Sequence, residues 1–502
     1  MGINPKRMLR KVITSLTPKY HKLKDKSVFI LLFAASFFIR FPFFFRDYID
    51  RDESTFILMG QSWVDGYLPY MELWDLKPPI TYLFFASSIY AFGKSFLAIR
   101  FLGTLLVVIT AFFTYKIGKE VSSKKLGFWA AMLCVALQSL FGSLQGVMSE
   151  HICMAFFMPG LYLLIKQKKL FWAGLSGILM GLTIMTKLNM AYVVLLLGIY
   201  FLYSYIKRRE YPRGIQFSFL FAGGIFMVVF LTILPYIITG NPEAWWKSVI
   251  LAPLEYTDAR RYSILKMAPT FLLISIFFYY SWKKKLLDFR AVTIQILVIA
   301  ILGILLSFIK GGRINSHYLI QLHPVLIVLV SMVVGKILVF QKFDYRPYLF
   351  FFSLMLPLES YLEYYSVARN KMERGTFFNG EGFTVPQYIV NNQMDTQNIL
   401  FLGYHIGYWV LDVKPPTKAA THPSNICRDE LFPFYDNPRS SSLQELQYIL
   451  EELQPKTIVV RKNRLVFDKK EVEENEYIDA YLKKHYEIFA TVDKAEVLKR
   501  LQ

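Results

Sequence analysis

"RDYIDRDESTF", residues 46–56, follows directly on "VFILLFAASFFIRFPFFF", residues 28–45. The apolar stretch is close to the ~20 residues that a bilayer crossing needs. A helix that only anchors the chain has no use for Asp47, Asp50, Asp52 and Glu53 directly beyond it. A charged side chain costs about 2.5–3.5 kcal/mol at the bilayer centre, so these acids belong at the water boundary. Past them, Phe56, Ile57, Met59 and Trp63 recur at roughly helical spacing. The spacing predicts a helix lying along the interface, with Asp52 and Glu53 in its first turn, where carboxylates interact well with the helix dipole. Capping acids in a solvated loop would leave the same trace.

The rest of the chain agrees with a membrane protein. Of its 502 residues, 54% are hydrophobic and 17% aromatic, where soluble chains are about 45–50% apolar. The net charge of +20 invites nucleic acid as a partner. Its distribution argues against that. Lys and Arg fall in short clusters between apolar runs, "KEVSSKK", "KQKK", "KRREYPRG" and "SWKKK", as cytoplasmic loops do. The three cysteines show neither a disulfide framework nor metal-ligand spacing. The first apolar run ends in "FPFFF", too bulky for signal peptidase, and reads as an uncleaved anchor.

Three regions follow. Residues 1–26 form a basic cytoplasmic N-terminus. Residues 27–362 form a helical transmembrane domain with an outer loop at 46–78. Residues 363–502 form a small extracytoplasmic α/β domain. In that last region "NILFLG", "KTIVVRK" and "YEIFAT" read as strands, and "SLQELQYILEEL" and "EVEENEYIDAYLKKHY" as helices. Placing the basic clusters inside gives about 11 spans. It also requires 79–116 to cross an odd number of times, through one broken or re-entrant segment near "FGKS".

The same topology collects charge on the outer face. Lys77 in "ELWDLKPPITY" stands where the positive-inside tendency disfavours a cation. Glu150 and Lys187 fall at the outer ends of their spans. Arg260 lies in the outer loop 240–262, and Arg313, His317 and Tyr318 lie on the glycine loop "KGGRINSHYLIQLHP". One carboxylate base with a cationic clamp suits transfer from a sugar on a polyprenyl phosphate. The leaving group is already an anion and needs positive charge rather than a proton, and the attacking hydroxyl needs one general base. No GxxxxGK[ST] phosphate loop is present.

These stretches carry a resemblance. "RDESTF" resembles the DE-x-x-Y element of the GT-C glycosyltransferases, in the branch of glycosyltransferase family 39, the protein O-mannosyltransferases, and the related bacterial aminoarabinose transferases. "WDLKPPITYLFFASSIYAFGKSFLAIR", "GLSGILMGLTIMTK", "GGRINSHYLIQLHP" and "NILFLGYHIGYWVLDVKPPT" resemble further family stretches, in the same order. The resemblance implies a GT-C-type bundle and inverting transfer at the outer face of the cell (inner) membrane. The donor would be a polyprenyl-phosphate sugar, and the acceptor a glycan, lipid or protein. It implies Asp52 as general base, with Glu53 positioning the base or acceptor. Lys77 and Arg313 would hold the donor phosphate, and His317 and Tyr318 its head group. Asp50, Asp75, Glu150, Lys187 and Arg260 complete the candidate substrate site. The chain departs from the pattern at Phe56, where the family has tyrosine. It departs again at Asp75, which stands two residues before Lys77 where the aminoarabinose enzymes have an adjacent Glu. Asp50 is an extra acid and a rival base. A divalent metal ion stays open, since there are acids enough but no spacing that demands one.

Two other classes compete. A polyprenyl-lipid transporter or flippase would place charges near mid-membrane and often show inverted repeats. A scaffold would bind through its tail and would leave "DRDE" without a purpose.

Overall fold

The computed structural model describes residues 23–47, 51–140, 144–166, 169–259, 265, 267–312, 315–337, 355 and 357–501. Asp50, Arg260, Arg313 and the basic segment up to residue 22 lie outside the described residues.

The first apolar run is helix α1, Asp25–Arg40, continued by a tight turn of helix over Phe41–Phe45. Helix α2, Arg51–Val64, carries Asp52 and Glu53 in its first turn, as the spacing of its apolar residues predicts. Pro79 opens α3, Pro79–Phe92, where the missing proline N–H costs nothing. Gly93, at φ 68°, ends it, and Ser95 caps α4, Phe96–Val121, by accepting the Ala98 N–H. The ambiguous stretch is thus two helices. With 26 residues α4 reaches about 39 Å, enough to cross. With 14 residues α3 reaches only about 21 Å, against ~30 Å of hydrocarbon.

The bundle continues with α5 (Lys124–Leu137), α6 (Ser149–Lys166), α7 (Phe171–Thr186), α8 (Ala191–Lys207) and α9 (Tyr211–Ile238). The short helix α10 (Ala252–Ala259) leads into α11 (Ala268–Lys283), α12 (Val292–Gly311) and α13 (Leu319–Lys336). Among the described residues, six helical segments are long and apolar enough to cross a membrane. The expected count of about 11 is not met by that measure. Several of the apolar runs form helices as short as α3 and the 16-residue α7. The protein is a multi-pass membrane protein. Helices α7 and α9 touch backbone to backbone. A Cβ on Gly177 would stand 2.2 Å from the Phe221 carbonyl oxygen, and one on Gly224 would stand 2.6 Å from that of Gly174. Small residues permit such closeness, and in lipid this packing replaces the hydrophobic effect between helices.

Helices α14 (Leu358–Arg374) and α15 (Glu381–Asn391) precede a four-stranded sheet, β1 Leu400–Phe401, β2 Thr457–Arg461, β3 Tyr486–Val492 and β4 Ala495–Arg500. Helix α16, Val472–His485, connects β2 to β3. The order is β1-β2-β4-β3, with β1 and β2 parallel and the other pairs antiparallel. Strand β4 is an addition to the expected three. "AEVLKR" is short and half charged, and the turn that folds it back on β3 contains Asp493 at φ 53°.

The C-terminal region is docked on the start of the loop 46–78. Asn379 pairs with the backbone of residues 45–47, and Asp47 accepts the Gly382 N–H. Arg46 forms an ion pair with Glu363 of α14.

Candidate active site

Two buried arginines shape the base of the loop 46–78. Arg40 donates to the carbonyls of Leu144, Gln145 and Gly146 at 3.0, 2.7 and 3.1 Å. Arg100 reaches the carbonyls of Phe43 and Arg46, both at 3.3 Å, and the Glu53 carboxylate at 2.6 Å. The other Glu53 oxygen accepts the Val147 N–H at 2.7 Å. Glu53 therefore pins the first turn of α2 to the bundle and is 1% exposed. Its neighbour Asp52 lies about 100° round the helix and faces a polar chamber instead.

That chamber has a volume of about 410 Å³. Asp52, Asp75, Lys77, His317 and Tyr318 of the sequence-derived set all line it. Lys77 is held by its backbone. Its carbonyl accepts from Tyr70 Oη at 2.6 Å, and its N–H donates to Tyr82 Oη at 3.1 Å. Tyr82 in turn donates to Asp75 Oδ2 at 3.1 Å. Lys77 Nζ stands 3.6 Å from Asp52 Oδ2. Burial alone would raise the Asp52 pKa, but the Lys77 ammonium and His422 outweigh it and hold the carboxyl well below the usual carboxylate range. Burial would likewise lower Lys77, and the carboxylates of Asp52 and Asp75 keep it above the ordinary lysine range. Both groups are charged at neutral pH.

A second cavity, of about 230 Å³, opens beside the first and shares Leu76, Lys77, Tyr256 and Tyr318 with it. Its other walls include Leu188, Tyr192, Pro253 and Leu254, with Lys187 and Lys310. Lys187 caps the end of α7, ion-pairs with the buried Glu150 and lies 4.3 Å from the centre of the Tyr318 ring. His317 Nε2 is 3.8 Å from Glu150 Oε1. Glu150 thus supports Lys187 and His317 from beneath and does not line either cavity.

The C-terminal region supplies the opposite wall of the chamber with His422, Ser424, Arg428 and Arg461. Sequence reasoning assigned the tail no site. The one local signal was "THPSNICRDE", in which a His and an Arg flank a Pro-led turn. Arg51 and Tyr256 are further lining residues that the sequence reading passed over. Among the described residues, no group of three or more His, Cys, Asp or Glu side chains is placed to hold a metal ion.

The architecture aligns with the crystal structure of ArnT from Cupriavidus metallidurans bound to undecaprenyl phosphate, at a TM-score of 0.59 and 14% identity, covering 94% of this chain and 98% of that one. By fold, this chain is like ArnT. The apo structure of ArnT aligns with this chain at a TM-score of 0.54 and 10% identity over the same shares. The sequence pattern of the Dolichyl-phosphate-mannose-protein mannosyltransferase family matches residues 76–236, from just before Lys77 to the end of α9. An uncharacterized protein of Aquifex aeolicus (strain VF5) is 29% identical over 167 residues, 31% of this chain. The match spans 33% of the length of that relative.

Proposed function

We propose that this protein is a GT-C glycosyltransferase that takes a hexosyl or pentosyl group from a polyprenyl phosphate. It passes the sugar, with inversion, to an acceptor hydroxyl at the outer face of the cell (inner) membrane. The N-terminus is then cytoplasmic and residues 363–502 extracytoplasmic. One observation carries the reading: Lys77 is the common wall of a polar chamber and a more apolar cavity, with the carboxylate of Asp52 3.6 Å away.

The chemistry follows from that placement. The donor phosphate sits against Lys77, with its lipid on the side of Leu188, Tyr192 and Leu254 and its sugar in the chamber. Asp52 takes the acceptor proton as the acceptor oxygen bonds to the anomeric carbon. The carbon–oxygen bond to phosphate breaks, and its electron pair leaves as polyprenyl phosphate, met by the Lys77 charge. The likeness to ArnT, whose crystal structure holds undecaprenyl phosphate, supports the donor class.

The test is binding of synthetic undecaprenyl-phosphate sugars, mannose and aminoarabinose among them, to the protein in lipid, followed by native mass spectrometry. One donor should bind, and Lys77→Ala should weaken it about tenfold or more, as loss of a charge-assisted contact implies. Binding of none, or equal binding by the variant, overturns the reading.

A further inference from the structure

His422 lies more than 360 residues beyond Asp52 in the chain, yet the two side chains meet. His422 Nε2 is 3.6 Å from Asp52 Oδ1. The ring is 6% exposed, and its other nitrogen, Nδ1, accepts the backbone N–H of Ser424 at 3.1 Å. In a neutral imidazole one nitrogen accepts and the other carries the proton. The Ser424 contact therefore places the proton on Nε2, aimed at the carboxylate. Burial also favours the neutral ring by lowering the His422 pKa, against the pull of Asp52. The separation is just beyond hydrogen-bond range, a common state of catalytic contacts before substrate binds.

The meeting is built by several contacts along one turn. Arg51 donates to Ser424 Oγ at 3.2 Å. One turn on, Thr55 Oγ1 is 3.0 Å from His405 Nε2 and donates to the Thr421 carbonyl at 3.4 Å. Residues 421–424 thus run beside the first turn of α2. Asp52 is faced by Lys77 and Asp75 from the outer loop, His317 from the start of α13, and His422 and Arg428 from the C-terminal region, with Arg51 on its own helix.

We propose that His422 is the positioning residue of the base, holding Asp52 Oδ1 so that Oδ2 keeps its aim when the donor draws Lys77 away. The inference rests on the reading of Asp52 as base. In the resting protein both oxygens have a cation or N–H partner. Donor phosphate competes for Lys77 and frees Oδ2 to accept the acceptor proton. Without the second tether a carboxylate on two rotatable bonds would swing, and small misplacements of this kind cost about 10²-fold in rate.

Two substitutions separate this role from a structural one. His422→Asn keeps an acceptor for the Ser424 N–H but loses the distal N–H. His422→Gln reaches the distal position with an amide N–H. The probe is release of undecaprenyl phosphate from whichever synthetic donor the protein binds, read as kcat and KM across pH beside the unfolding midpoint. Expected is a fall in kcat of about 10²-fold for Asn, retention within about tenfold for Gln, and unchanged donor affinity in both. The acid limb of the Asn variant should also move to higher pH, because one of the groups that lowers Asp52 is gone. Retention in both overturns the proposal. So does loss in both, or loss in Gln alone, which would make His422 no more than the cap of its turn. Asp52→Asn is run alongside. If that variant turns over normally, the base assignment has failed rather than the role of His422.

Discussion

Lys77 and Asp52 form an ion pair whose two halves are wanted separately during the proposed reaction. At 3.6 Å the lysine neutralises the carboxylate in the resting site. A donor phosphate can bind Lys77 only by sharing or breaking that pair. Loading the donor therefore strengthens the base, and a site without donor holds a weak one.

This gives a signature in the pH dependence. In the free protein Asp52 is held below the usual carboxylate range, so the acid limb of kcat/KM for donor should fall below the ordinary value of about 3.9. In the donor complex Lys77 is occupied, Asp52 titrates higher, and the acid limb of kcat should lie at higher pH. Rate profiles from pH 3 to 8 read both limbs. Coincident limbs would contradict the exchange of partners.

Asp52→Asn should lower kcat by about 10²–10⁴-fold, the range of general-base contributions. Donor affinity should hold or rise, since Lys77 loses a competitor. Turnover by release of undecaprenyl phosphate and native mass spectrometry measure the two quantities independently.

Glu53 is predicted to matter for stability rather than for chemistry. Its carboxylate is spent on Arg100 and the Val147 N–H. Glu53→Ala leaves a buried guanidinium without its counter-charge, a loss of about 3–5 kcal/mol. Thermal unfolding in lipid should show a clear drop in midpoint. The double variant Glu53→Ala, Arg100→Met should recover part of it.

The contact between α7 and α9 gives a prediction far from the site. Gly177→Val puts side-chain atoms where the Phe221 carbonyl now lies. Overpacking of this kind costs about 1–3 kcal/mol or more. The unfolding midpoint should fall, and Gly174→Ala, whose Cβ would stand 3.9 Å from the Leu220 carbonyl oxygen, should be tolerated.

Local signals in the sequence were legible where local physics decides. The helix at Phe56–Trp63 follows from apolar spacing, and three of the four strands follow from short apolar runs. The meeting of Asp52 with Lys77 could be anticipated because both belong to the one loop between the first two apolar runs. The partners of Glu53 could not. Arg100 reads in sequence as a charge near the start of a span, and nothing local to it shows that it turns inward to pair with Glu53. His422 and Arg428 were illegible for a related reason. Nothing in "THPSNICRDE" specifies where that turn docks, and its position depends on long-range contacts such as Thr55 with His405. The expected span count stays unconfirmed, because hydropathy alone does not distinguish a crossing helix from a shorter one like α3.

The chamber wall that His422, Ser424, Arg428 and Arg461 supply has a consequence for chimeras. A tail that merely selected acceptors could be exchanged between relatives like a cassette, changing what is glycosylated and leaving the rate alone. Here the tail lends side chains to the chamber and grips α2 along its first turn. A transplanted tail would bring a foreign half of the reaction chamber with it. On the proposed function, acceptor preference is then free to change only within a matched pair of halves, and chimeras joined between them should turn over poorly, whatever their acceptor.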